Sequence, residues 1–220
     1  MKLGVLFSGG KDSTYAAYLE KEKGNDLCCL ITIISENRDS FMFHTPAVNL
    51  CEKQAKLMGI PIVVCNTKGQ KEKELVDLEK AIKKAVEKYE IEGIVTGAVQ
   101  SVYQSSRIKK ICDKLKINCI NPLWQKDGKD LLEEMIKNKF EIIITGIAAY
   151  PLDKKWIGRK IDLDFIRDMK KLNEKYKVSL NGEGGEFESL AVNCPLFSNK
   201  LDFQIKRIIG EGNSWRAEIE

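Results

Sequence analysis

Two clusters in this chain have residue types and spacing suited to chemistry. The first, Ser8-Gly9-Gly10-Lys11-Asp12-Ser13, follows the apolar run Leu3 to Phe7 and precedes the helix-compatible stretch Thr14 to Glu20. A buried strand, a turn and a helix in that order make an anion cradle. The glycines admit backbone dihedrals closed to other residues, so consecutive N–H groups converge, and the positive end of the helix points at the same place. Ser8 and Ser13 add hydroxyl donors, Lys11 adds charge, and Asp12 can cap the helix or help to hold a metal ion. The arrangement suits pyrophosphate. It is not G-x-x-x-x-G-K-[ST], which would place Gly at Val5 and Ser or Thr at Asp12, nor is it G-x-G-x-x-G. The second cluster, Gly182-Glu183-Gly184-Gly185-Glu186-Phe187-Glu188-Ser189, sets three carboxylates among glycines. Such acids can bind Mg²⁺, attract a cation or accept a proton where the backbone comes close to a ligand. Composition alone is equally compatible with a flexible acidic turn.

The elements that must position these clusters follow from periodicity. Apolar runs alternate with amphipathic segments through the first 120 residues, which predicts a doubly wound parallel α/β sheet, Rossmann-like in arrangement. The strands are Leu3 to Phe7, Leu27 to Ile34, Ile62 to Cys65, Gly93 to Thr96 and Asn118 to Ile120. Thr45 before Pro46 reads as an N-cap with proline at the first helical position, and Gly59 ends that helix. Lys71 to Glu90 carries Leu75, Leu78, Ile82, Ala85, Val86 and Tyr89 at helical spacing, and Ser106 to Leu115 is a further helix. The register changes near Asn121-Pro122-Leu123-Trp124. This divides the chain into a nucleotide-binding domain, 1–120, and a smaller C-terminal α/β lobe, 121–220. In the lobe, Lys129 to Lys139 and Leu163 to Tyr176 read as helices and Glu141 to Thr145 as a strand. Lys200 to Ile209 with Ser214 to Ile219 reads as a closing hairpin. Ligands sit at the carboxyl ends of strands near the switch point of such sheets, so the loops after strands one, two and four should meet around the nucleotide.

Composition excludes several classes. No apolar stretch approaches the ~18 to 20 residues of a membrane span, and the N-terminus lacks a signal-peptide layout, so a cytoplasmic protein is expected. The seven cysteines are odd in number and lack C-x-x-C spacing, which favours buried thiols over disulfides or zinc. The net charge of +4 comes from 36 Lys and Arg mixed with 32 Asp and Glu, a solvated surface without a nucleic-acid stripe. Oligomeric state is open, a homo-oligomer included.

The first hexapeptide resembles the PP-loop, S-G-G-x-D-S, of the N-type ATP pyrophosphatases, which split ATP between its α and β phosphates. Further along come Gly97-Ala98 with Tyr103-Gln104 and Arg107, then Pro122-Leu123-Trp124, then Leu152-Asp153 with Trp156-Ile157-Gly158-Arg159, and finally the acidic glycine loop. Together these are similar to the diphthine-ammonia ligase family, in the family's order and over most of the chain. A spacer, Ser105-Ser106, separates Gln104 from Arg107 where the family's pattern is tighter. The resemblance implies an adenine-nucleotide α-hydrolase-like fold with an added lobe. It also implies ATP-dependent amidation of diphthine, a modified histidine on elongation factor 2, by ammonium, giving diphthamide, AMP and pyrophosphate. On that reading Ser8, Gly9, Gly10, Lys11, Asp12 and Ser13 clamp phosphates, with Asp12 organising Mg²⁺. Gly97 and Ala98 approach the ribose or α phosphate, and adenine lies near Ile33 to Ser35. His44, the only histidine, sits on the loop after strand two and is a further nucleotide-side candidate. Glu183, Glu186 and Glu188 would line the acceptor side and serve ammonium, joined there by Gln104, Arg107, Gly184 and Gly185. Tyr103, Trp124, Trp156 and Phe187 could face the trimethylammonium group of diphthine, although Trp and Phe are more often plain core. The competing classes are an AMP-forming tRNA-modifying enzyme and a non-catalytic ATP-binding module.

Overall fold

The computed structural model describes residues 1–35, 48–68 and 73–220. The predicted alternation is realised as a five-stranded sheet of β1 (Lys2–Leu6), β2 (Asp26–Ser35), β3 (Ile62–Thr67), β4 (Gly93–Val95) and β5 (Asn118–Ile120). The strand order is β3-β2-β1-β4-β5 and every pairing is parallel. Parallel neighbours need long crossovers, supplied by α1 (Lys11–Glu22), α2 (Val48–Met58), α3 (Lys73–Tyr89) and α4 (Val102–Leu115). The chain reverses its direction of travel across the sheet between β1 and β4, which opens a crevice at their carboxyl ends.

Local chemistry sets the ends of these helices. Gly59, at φ +66°, terminates α2 as predicted. The Thr45-Pro46 cap lies outside the described residues. Helix α4 begins four residues before the predicted Ser106, because Ser101 Oγ accepts the Gln104 N–H at 3.3 Å and caps it. Tyr103 and Gln104 therefore ride on the first helical turn.

The C-terminal part contains α5 (Gly128–Lys137), β6 (Glu141–Ala148), α6 (Leu163–Tyr176), β7 (Phe187–Asn193), β8 (Ile205–Glu211) and β9 (Ser214–Ile219). Its sheet is antiparallel, in the order β7-β6-β9-β8. Asp127 caps α5, accepting from the N–H groups of Lys129 and Asp130, and Asp162 caps α6, accepting from Phe165 N–H. Strand β6 runs on past the predicted Thr145, and the hairpin's first strand starts at Ile205, not Lys200. Strand β7 has no counterpart in the sequence reading: Phe187, Glu188 and Ser189, expected to continue the glycine loop, instead open an edge strand. Glu188 and Ser189 interrupt the apolar run that would have revealed it, which resumes in the buried Leu190, Ala191 and Val192.

Packing is continuous across residue 121. One apolar cluster joins Leu3, Val5, Tyr15 and Leu50 on the α1–α2 side of the first sheet to Leu131, Ile144, Phe165 and Phe187 of the second half. A separate cluster, including Ile31, Leu78, Ile82 and Ile111, fills the α3–α4 side. Helix α1 is thus clamped between the sheets. The Tyr15 ring meets Phe140 edge-on at 5.2 Å, and its hydroxyl donates to Glu134 at 3.1 Å. Among the described residues no helix is long and apolar enough to cross a membrane.

Candidate functional site

A cleft of about 600 Å³ opens at the switch point. Leu6, Phe7, Ser8, Asp12 and Ser13 form its floor, Ile31 and Ile33 one wall, Thr96, Gly97 and Ala98 another, and Gly182, Glu183, Gly184 and Gly185 its far side. The loops after β1 and β4 therefore meet there, together with the acidic glycine loop, whose nearest point in sequence lies more than 80 residues away.

The phosphate loop is shaped from below. Gly9 has φ +75°, a conformation that costs other residues about 1 kcal/mol or more. Gly10 occupies the N-cap of α1 with no side-chain cap, while its own N–H reaches Ser8 Oγ at 3.4 Å and the Lys11 N–H reaches Ser189 Oγ at 3.2 Å. The Ser8 and Ser13 hydroxyls lie 3.1 Å apart. Ser13 Oγ also accepts the Ser8 N–H at 3.2 Å. Lys11 is 4% exposed, donates Nζ to Asp12 Oδ2 at 2.6 Å and lies 5.6 Å from the centre of the Phe187 ring. The other carboxylate oxygen, Asp12 Oδ1, is buried without a hydrogen-bond partner. A buried charged oxygen with no donor is costly unless something else supplies one. Gly97 sits hard against this loop: a Cβ there would lie 2.7 Å from Ser13 N and 2.8 Å from the Asp12 carbonyl carbon.

The acidic loop faces it. Glu183 Oε2 accepts the Gln100 N–H at 3.1 Å, tying this loop to the β4–α4 connection. Burial pushes the Glu183 carboxyl above the usual range, and the nearby Asp12 charge pushes the same way. The three glutamates are separated in space. Glu183 lines the cleft. Glu186 turns back on its own loop, accepting from Ser179 N–H and Gly184 N–H, each at 2.8 Å. Glu188 lies on β7 opposite Gly146 of β6, away from the cleft lining, and burial pushes its carboxyl up to about 7.

The other expected residues divide in the same way. Gln104 lines the cleft; Ser35, at the end of β2, does not. Arg107 stacks on Tyr103, with its guanidinium carbon 3.5 Å from the ring centre, and neither belongs to the lining. Phe187 is core, edge-on to Phe165 at 5.6 Å. Trp156 also packs edge-on to Phe165, at 5.6 Å, and carries the Arg159 guanidinium on its face at 4.5 Å. Trp124 is half-buried outside the lining. His44 falls outside the described residues. Three residues escaped the sequence reading. Thr96 at the end of β4 donates to Asn121 Oδ1 at 2.5 Å and accepts from Ala98 N–H at 3.2 Å. Ser101 lines the cleft while capping α4. Gln54 is wholly buried behind the phosphate loop; a polar side chain within the buried stripe Leu50, Cys51, Ala55 was the available signal.

Comparison with known proteins agrees with this geometry. Residues 1–119 match the family model of the diphthamide synthase N-terminal domain, and residues 127–217 that of the diphthamide synthase C-terminal domain. The chain is 32% identical over 220 residues to a diphthine–ammonia ligase of Bos taurus, covering 91% of this chain and 82% of that protein. A diphthine–ammonia ligase of Saccharomyces cerevisiae is 30% identical over 258 residues, covering all of this chain and 37% of the yeast protein. A tRNA-specific 2-thiouridylase of Helicobacter pylori is 34% identical over 86 residues, 39% of this chain and 21% of its own length. Likeness to the ligases thus extends through both sheets, whereas the thiouridylase match covers less than half of the chain. The phosphate loop, the acidic glycine loop facing it and the two matched domain models together place this chain in the diphthamide synthase family.

Proposed function

We propose that this protein is an ATP-dependent, AMP-forming ligase that amidates the diphthine carboxylate of elongation factor 2 with ammonium in the cytoplasm. The observation that carries the proposal is that Asp12 and Ser13 of the phosphate loop line the same cleft as Glu183, Gly184 and Gly185 of the acidic loop. Two-step acyl transfer needs that juxtaposition. A carboxylate is a poor acyl donor because its leaving group would be oxide. Its oxygen attacks the α phosphorus of ATP, pyrophosphate departs, and an acyl-adenylate forms. Ammonia then attacks the acyl carbon, AMP leaves, and the amide results.

In the first step the Ser8 to Ser13 loop holds the β and γ phosphates, and Lys11 offsets the charge that accumulates as pyrophosphate leaves. Gly97 lets the β4–α4 turn pack directly on the loop, so that both border the space for the ribose or α phosphate. The unpartnered Asp12 Oδ1 fits a hard cation of the kind that binds through one or two carboxylates, phosphate oxygens and water. Asp12 would hold Mg²⁺, which when bound neutralises charge on the leaving pyrophosphate. Ammonium must shed a proton before it can attack. Of the three glutamates Glu183 is the one on the cleft, and its raised affinity for a proton suits it to receive one. Glu186 holds the loop in shape. The division we propose is of labour, with residues 1–120 binding the nucleotide and 121–220 presenting the acceptor side.

The test is nucleotide product analysis with diphthine-bearing elongation factor 2, ammonium and Mg-ATP, beside a control without the protein acceptor. AMP and pyrophosphate with an acceptor mass decrease of about 1 Da, for acid replaced by amide, are expected. ADP as product, or turnover indifferent to the acceptor, would overturn the proposal.

A further inference from the structure

The phosphate loop is held from behind by β7 of the second sheet and by one side chain of α2. Gln54 of α2 is 0% exposed. Its Nε2 donates to Gly9 O at 3.0 Å and to Ala191 O at 2.8 Å, bridging the phosphate loop to the free edge of β7. Ala191 N–H also donates to Gly9 O at 3.0 Å, so that carbonyl accepts two bonds from behind. One step along, Ser189 Oγ accepts the Lys11 N–H at 3.2 Å. A Cβ on Gly10 would lie 3.2 Å from Ser189 O. The fit at Gly9 is closer still, since a Cβ there would meet Gln54 Oε1 at 2.3 Å. Oε1 itself is buried and has no hydrogen-bond partner. A buried amide that satisfies two carbonyls while its own oxygen goes unpaired is retained at a cost.

We propose that Gln54 is a positioning residue for the nucleotide. By drawing the Gly9 carbonyl backwards onto the β7 edge, it fixes the turn between Ser8, which lines the cleft, and the head of α1. The strand that Gln54 engages grows directly out of the acidic loop, with Glu183 at one end of the segment and Ala191 at the other. The same eight-residue step therefore presents the acceptor side and anchors the phosphate side. Gln54 touches neither substrate; it acts through Gly9. The proposal depends on ATP being the nucleotide, and its test separates the two.

The test measures binding of a non-hydrolysable Mg-ATP analogue to the full chain by calorimetry, beside melting temperature. Gln54→Met keeps the length and removes both donors. It should weaken the analogue about tenfold, the effect of one or two lost hydrogen bonds that pre-shape a site. Tyr15→Phe, which removes a buried hydroxyl remote from the cleft, is the stability control and should bind like wild type. Affinity unchanged in Gln54→Met, or weakened equally in Tyr15→Phe, would overturn the proposal. A wild-type protein that binds no analogue would instead remove the ATP reading itself. Should Gln54→Met fail to fold, hydrogen exchange on wild type decides. The Ala191 amide, which lies outside the cleft lining, should slow on analogue binding together with the amides of Gly10 and Lys11. Slowing of the loop amides alone would show that the β7 edge takes no part.

Discussion

Replacing Glu188 by Gln should remove a pH dependence of stability that the fold imposes on this one carboxyl. The side chain rises from β7 over Gly146 of β6, where a Cβ would come within 2.7 Å of Oε2, so the carboxyl occupies space that glycine leaves open. Arg216 follows in the same cross-strand row and lowers the pKa, but the two make no ion pair and burial prevails, holding the carboxyl near 7 against an ordinary value of 4.5. A folded-state pKa above the unfolded one means that the native protein binds this proton more tightly. Its stabilising contribution is complete below the unfolded value and is lost as pH rises through the folded one. The full difference is worth about 3 kcal/mol, of which about 2.5 kcal/mol falls between about pH 5 and pH 8. A carboxamide at this position cannot ionise, so the Glu188→Gln variant should gain about that much on wild type across the window, with little difference at its acidic end. Urea unfolding of both proteins at steps of pH measures it, because all other titrating groups cancel in the difference. A difference that stays flat within about 0.5 kcal/mol would show that the Glu188 carboxyl is hydrated in the native state and that burial does not govern it.

Three further outcomes are expected. Gly97→Ala should cost about 1 to 3 kcal/mol of stability and weaken a bound ATP analogue by tenfold or more, because its Cβ meets the backbone of Asp12 and Ser13, which cannot step aside; calorimetry with the melting temperature checks both. Glu186→Gln keeps one of the two acceptors that bind Ser179 N–H and Gly184 N–H, so the Gly184 amide should exchange faster with solvent while the ATP analogue binds as before. Asp12→Asn removes a charge that raises the Glu183 pKa, so Glu183 should titrate at lower pH in the variant, as followed by side-chain carboxyl NMR; an unmoved titration would mean that the two groups do not sense each other.

The parallel half of the fold was legible because its physics is local. Strands buried on both faces read as unbroken apolar runs, and crossover helices carry a 3.6-residue stripe. The order of the two is visible residue by residue from Leu3 to Ile120. The phosphate loop was legible for the same reason, since Gly9, Gly10 and the head of α1 are neighbours in the chain. Residue types in a row also marked the acidic loop as chemically unusual. What they could not settle was which carboxylate lines the cleft. That depends on Phe187 being core, on Glu186 reaching its own loop's amides and on β7 carrying Glu188 to the far face. Nor could they reveal Gln54, whose partners Gly9 and Ala191 lie 45 and 137 residues away. Periodicity and turn chemistry report on a residue's near neighbours; a buried amide, a raised carboxyl and a close backbone approach are set by atoms brought together only when the two sheets pack around α1.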